Sequence, residues 1–337
     1  MAGGAARCFW KRLAPQGAAP AARSSHSVTS LAGRALVFGG EDAPRNAFDP
    51  FVHTLESDGS WAKVGSPLPG HPVLGHGAAG LGGRLFVFGG REGGPNTFSG
   101  VQSGESGAFR SFDFDAGSWE DVVPTGPQKP EPRSFHAMCA AEGSGHIFVF
   151  GGCGTSGRLN DLWRYSPTES AWQCLHPGGG AEVAPVPRGG AGLVPSSDGK
   201  RVVLLFGFSG QQQGDIAVFD VEKMKWELLP QEKQKGDVPL PRSVLAAAPL
   251  QGEAVIFGGE RLASDLGHEG AGSFAADLHA LDLESLSWRT LHAEGEVPEA
   301  RGWGGMCPCG PRSILLFGGL NTRNERLGDT WELEFSS

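Results

Sequence analysis

The sequence predicts an all-β protein built from six four-stranded units, and three observations carry that prediction. An apolar run closed by glycine recurs six times, a tryptophan-led strand follows five of the copies, and turn residues punctuate the chain throughout. The 337 residues include 54 glycines and 24 prolines, while a 39% hydrophobic fraction is too high for a disordered polymer. Turn-rich β structure satisfies both facts.

The runs are "ALVFGG" (35–40), "LFVFGG" (85–90), "IFVFGG" (147–152), "VVLLFGF" (202–208), "AVIFGG" (254–259) and "ILLFGG" (314–319), with first glycines at 39, 89, 151, 207, 258 and 318. The fourth copy reads as a departure in which Phe208 replaces the second glycine. After each pair comes a variable loop, then an alternating strand such as "DLWRYS" (161–166) or "DLHALDL" (277–283). Trp61, Trp119, Trp172, Trp226 and Trp288 each open a further short strand, and proline-bearing linkers such as "PTGPQKPEP" (124–132) lead to the next unit. The sixth unit runs out at "DTWELEFSS" (329–337), whereas "CFWKRLAP" (8–15) offers an orphan strand whose Trp10 matches the repeat tryptophan. The N-terminal strand is therefore expected to complete the last unit.

This pattern resembles the kelch repeat across essentially the whole chain, with its period of ~50 residues and its glycine pair. The resemblance implies one six-bladed kelch β-propeller. Its blades would cover approximately residues 20–69, 70–128, 129–184, 185–238, 239–298, and 299–337 joined by 1–19. The apolar runs and the tryptophans are then scaffold, packing blade on blade.

A formal charge of −9 provides no basic field for a phosphate backbone, which argues against nucleic acid as a partner. No run approaches the ~18 apolar residues a membrane span needs, and "MAGGAARCFWKRL" lacks the apolar core of a signal peptide. Cysteines 8, 139, 153, 174, 307 and 309 form no C-x-x-C pair. Reduced thiols in the cytoplasm are the expectation.

Up-and-down antiparallel strands bring the loop after each glycine pair to the mouth where the first strand starts. Arg23, Arg133, Arg188, Arg242 and Arg301 open five of those first strands, with His71 taken for the second unit, and Arg91 follows "VFGG" directly. Two readings stay open for the arginines. Guanidinium forks around a concave mouth capture an oxyanion, or each fork binds neighbouring carbonyls and acids. His26 and His136, three residues on, are either channel-facing or packed.

The loop "GGERLASDLGHEGAG" (258–272) adds Glu260, Asp265 and His268 to that mouth. Two carboxylates and an imidazole suit a divalent ion such as Fe(II); acids in glycine-rich loops also bond backbone amides. The loop resembles the iron-binding loop of plant specifier proteins, kelch proteins that divert glucosinolate breakdown towards nitriles, as do "FGGCGTSGRLNDLW" (150–163), "RSFH" (133–136) and "RGW" (301–303). The resemblance implies Fe(II) held by Glu260, Asp265 and His268, although Ser264, not Asp265, occupies the central position between Glu260 and His268. It further implies sulfate held by Arg91 and Arg133, Trp303 as an aromatic wall, and a small anionic, sulfur-containing substrate, a thiohydroximate-O-sulfate, broken down to a nitrile. The alternative is a non-catalytic propeller that binds a protein partner through the same mouth. A copper-radical oxidase and a sialidase are argued against by the single tyrosine, Tyr165, and "GGREGG" (89–94) lacks the lysine of a phosphate-binding loop.

Overall fold

The computed structural model describes residues 7–92, 104–180 and 183–336, with the backbone alone for His268. Each apolar run forms the second strand of an antiparallel four-stranded blade, and short added strands enlarge the sheets of blades three, five and six. In blade one the strands are Ser27–Leu31, Arg34–Phe38, Val52–Leu55 and Trp61–Val64. Blade five repeats the pattern with Ala246–Leu250, Glu253–Phe257, Leu278–Asp282 and Ser287–Thr290. Six such blades stand side by side, each innermost strand packed on the next and the sixth on the first. The second strands are unbroken apolar runs because a neighbouring blade covers each of their faces: Ile147, Phe148, Val149 and Phe150 are all buried.

The ring closes as expected. Cys8–Leu13 pairs antiparallel with the third strand of blade six, Arg326–Phe335, with Trp10 opposite Leu333. Every repeat tryptophan packs against a phenylalanine of the preceding blade. The ring centroids are 5.6 Å apart for Trp61 and Phe317, 4.9 Å for Trp119 and Phe38, and 5.6 Å for Trp172 and Phe88. They are 5.5 Å apart for Trp226 and Phe150, 5.6 Å for Trp288 and Phe206, and 5.4 Å for Trp10 and Phe257. The tryptophans are thus rivets between blades, contributing large buried area and ring contacts that range from edge-to-face, as for Trp61, to stacked, as for Trp288.

Two assignments read from the repeat are corrected. In the fourth copy the residue standing in for a glycine is Phe206, not Phe208. Phe206 adopts φ 56° and Gly207 φ 112°, matching Gly258 at 66° and Gly259 at 99°, so Phe208 falls level with Glu260. The cross-strand bridges agree, since Phe208 faces Gly189 as Glu260 faces Ser243. Blade two's counterpart of the opening arginine is Val73, not His71. Val73, Leu74 and Gly75 take the places of Arg133, Ser134 and Phe135, because Gly40 donates to the Val73 carbonyl as Gly90 does to that of Arg133.

Candidate functional site

The site is built on a hoop of backbone. At one mouth each first strand bends through a left-handed residue: Ser25, Gly75, Phe135, Gly190, Val244 and Trp303, with φ from 47° to 61°. Each N–H donates to the carbonyl of the counterpart in the preceding blade, Ser25 to Trp303 at 3.0 Å and Trp303 to Val244 at 2.9 Å, until six bonds close a circle. A left-handed non-glycine residue costs roughly 1–2 kcal/mol, and four of the six are not glycine. The circle offsets that strain by satisfying twelve polar groups at the mouth, where half-met hydrogen bonds would be expensive.

Just outside the hoop lie the arginines, and here the open question closes. Arg23, Arg133, Arg188, Arg242 and Arg301 are all buried and face acids on their own blades. Arg133 donates through Nη1 and Nη2 to Asp161 at 2.7 Å each, through Nη1 to the Gly151 carbonyl at 3.1 Å, and through Nε to the Glu131 carbonyl at 3.0 Å. Arg188 with Asp215, Arg242 with Asp277 and Arg301 with Asp329 repeat the arrangement, and Arg23 bonds Asp49. Burial alone would raise the Asp277 carboxyl, but hydrogen bonds from Arg242 and His279 hold it well below the usual range. The expected arginine ring is therefore a set of internal clasps. The assignment of Arg133 to sulfate is corrected with it, because its fork is spent on Asp161 and sealed from the mouth.

The residues after the glycine pairs form the outer ring of the mouth: Glu41, Arg91, Cys153, Phe208, Glu260 and Leu320. Between blades three and six this ring and the hoop enclose a cavity of about 250 Å³ walled by Phe135, Phe208, Val244, Trp303, Arg158 and Glu260. Phe135 and Trp303 come from opposite blades and meet edge to face, ring centroids 5.5 Å apart, so they span the axis. Arg158, at the start of the blade-three strand Gly157–Ser166, lays its guanidinium over Phe208 at 4.9 Å. No ion pair or side-chain hydrogen bond is seen for Arg158 among the described residues, which makes it a compensation-free cation at the cavity wall.

Glu41 and Glu260 hold equivalent places yet differ in company. Glu41 accepts from Ser24 Oγ at 3.1 Å, Ser25 Oγ at 3.2 Å and the Arg45 N–H at 2.7 Å, and lies 3.5 Å from Arg326. Glu260 is 7% exposed, and its one side-chain bond among the described residues comes from Gln212 Nε2 at 3.4 Å. Burial pushes its carboxyl up to about 7, with Gln212 opposing. A buried carboxylate in a cleft, with no ion pair among the described residues, marks a functional candidate.

Of the residues singled out from sequence, the fold brings Glu260 and Trp303 into this cavity. Arg91 borders it, its guanidinium 6.0 Å from the Phe135 ring, but is ion-paired to Glu105 at 2.7 Å. The assignment of Asp265 as a ligand facing the mouth is corrected: Asp265 is exposed, and Ser264 lines the cavity in its stead, where the loop turns with Ser264 Oγ accepting from the Leu266 N–H. The side chain of His268 lies outside the described residues. Among the described residues no trio of His, Cys, Asp or Glu side chains converges. Sequence reasoning missed Arg158, Phe208 and Gln212. The position of Arg158 soon after the blade-three glycine pair, in a stretch already set apart, was the available signal; Phe208 and Gln212 were hidden by the one-residue shift of blade four.

Fold and mouth together define a kelch-type six-bladed propeller with a ligand-sized cavity at the loop end of its axis. A family model described as the KLHDC2/KLHL20/DRC7 Kelch-repeats domain matches residues 69–259, and the chain belongs to that family. It is 27% identical over 349 residues to an N-(sulfonatooxy)prop-2-enimidothioate sulfolyase of Thlaspi arvense, which covers 96% of this chain and 95% of the relative. It is also 27% identical over 246 residues to Kelch domain-containing protein 1 of Mus musculus, covering 66% of this chain and 57% of that protein. The solved structure of YjhT superposes with a TM-score of 0.71 at 17% identity, covering 94% and 95% of the two chains, a likeness of fold alone. No helix among the described residues is long and apolar enough to cross a membrane.

Proposed function

We propose that this chain is a specifier-type protein whose mouth cavity takes a small thiohydroximate-O-sulfate and directs its breakdown to a nitrile, with Fe(II) as cofactor. The observation that carries the reading is Glu260, buried in an aromatic-walled cavity with no ion pair among the described residues. The near full-length likeness to a sulfolyase supports it. Six free thiols accord with a reducing, cytoplasmic setting.

The donor chemistry fits the metal. Burial penalises the ionised form of Glu260, and a bound cation removes that penalty. Glu260 and His268 would hold the ion, since carboxylate and imidazole suit a ferrous site. Fe(II) bound there supplies a Lewis acid for the thiolate sulfur of the substrate. Arg158 places positive charge where sulfate departs, assisted by Arg91 beyond Phe135. Phe135, Phe208 and Trp303 flank the organic group and exclude water. The carbon–sulfur and nitrogen–oxygen bonds break, leaving nitrile, sulfate and one sulfur atom.

The test is the ratio of nitrile to isothiocyanate when the aglucone is generated in situ with anaerobic Fe(II). Wild type should yield nitrile, Glu260→Ala none, and Arg158→Ala roughly 10²-fold less. Isothiocyanate alone from the iron-supplied wild type overturns the proposal. In that event the second reading, a protein partner docking on the rim, gains, and the exposed Leu262 and Leu266 on the blade-five loop favour it.

A further inference from the structure

We infer that the third protein donor to the cation is the side-chain amide oxygen of Gln212, reaching across from blade four, and not Asp265. The inference rests on the metal reading above and concerns only which residues complete the site.

Three observations carry it. Gln212 is the described side chain in hydrogen-bond contact with the Glu260 carboxylate, its Nε2 standing 3.4 Å from Oε2. Its other amide atom, Oε1, is buried and has no hydrogen-bond partner among the described residues. A buried acceptor left unmet is costly enough to need a purpose. Asp265, by contrast, is exposed, whereas Gln212 is partly buried.

The local fold explains why Gln212 stands there. With Phe206 and Gly207 taking the turn, the chain returns early, and Phe208 and Gln212 bridge each other across a short loop. That bridge fixes the Gln212 backbone beside the cavity wall, one blade from Glu260. In the cation-free arrangement the amide N–H is the sensible neighbour for a carboxylate. Rotation about the last side-chain torsion, which is broad for an amide, exchanges N–H for oxygen without moving the backbone. The exchanged amide presents a hard oxygen donor beside Glu260, and amide carbonyls are ordinary ligands for hard divalent ions. Glu41, the equivalent acid in blade one, is already met by Arg326 and two serines, so the same geometry elsewhere on the mouth is satisfied without an ion.

Anaerobic calorimetric titration with Fe(II), repeated with Co(II) and read by its visible absorption, separates the possibilities. Gln212→Leu should weaken binding by at least roughly tenfold and shift the Co(II) spectrum, Gln212→Glu should retain binding, and Asp265→Asn should stay within about twofold of wild type. Thermal melts of each apo variant check that the fold survives, and Gln212→Asn, too short to reach, should behave as Gln212→Leu. Equal affinity of Gln212→Leu and wild type, or a loss in Asp265→Asn as large as that in Gln212→Leu, overturns the inference while leaving the metal reading in place. Absence of Fe(II) binding by wild type overturns both.

Discussion

At the residue scale the arginine clasps show why a charge can be buried in a propeller. Arg188 donates two hydrogen bonds to Asp215 at 2.7 and 2.9 Å, and a further one to the Phe206 carbonyl ties the turn to the blade. Blade two dispenses with the pair: Val73 replaces the arginine, and Ala108 replaces the acid, since Phe109 pairs with Phe88 as Leu278 pairs with Phe257. Both members are missing together because either alone would leave an uncompensated charge. Asp215→Ala should therefore destabilise by about 3–5 kcal/mol, whereas Arg188→Val with Asp215→Ala, the blade-two solution, should cost at least about 1 kcal/mol less. Denaturant unfolding measures both; additive effects would refute the account. The arginines were legible in the sequence, but their partners lie 26 to 35 positions away, too far for spacing alone to separate a clasp from an open anion-binding fork.

At the element scale, the first strands of blades one to three carry His26, His76 and His136 immediately after the hoop residues, and all three are buried between blades. Each imidazole meets a phenylalanine of the preceding blade, His26 with Phe317 at 5.5 Å, His76 with Phe38 at 5.3 Å and His136 with Phe88 at 5.4 Å. Sequence left His26 and His136 as channel-facing or packed; packing is the outcome. Burial drives His26 and His76 from 6.5 to about 3, and the cation of Arg23 adds to the effect on His26. A depressed folded-state value means that the unfolded chain binds the extra protons. Stability is full above pH 6.5 and falls as pH drops from there towards 3. Each such histidine contributes at most about 1.4 kcal/mol per pH unit in that window. Melting temperatures measured from pH 7 to 4 should fall, and His76→Asn should flatten the slope by about one proton's share. An unchanged slope would remove His76 from the acid response.

At the scale of the whole molecule, the ring is held shut by one borrowed strand. Cys8–Leu13 supplies the fourth strand of blade six, and Trp10 packs on Phe257 and Trp331, whose ring centroids are 5.4 and 6.4 Å away. Without it the outer edge of Arg326–Phe335 is left unpaired and the blade-five face uncovered. Trp10→Ala should lower unfolding free energy by roughly 3–5 kcal/mol, and deletion of residues 1–13 should expose blade six to limited proteolysis. An unaltered melting temperature in the deletion variant would show that closure does not depend on this strand.

The sequence by itself determined the blade count, the strand order within each blade, the closing strand and the mouth to which Glu260 and Trp303 belong, because these follow from a repeat whose apolar period and turn residues act locally. Only the tertiary structure decided which charges at that mouth are free. Arg133 is cancelled by Asp161, Asp265 is turned to water, and Glu260 and Arg158 are left facing one cavity. The reason is physical: whether a side chain is compensated depends on partners that chain closure brings within about 3 Å, and such partners carry no signature in the spacing of the residues they meet.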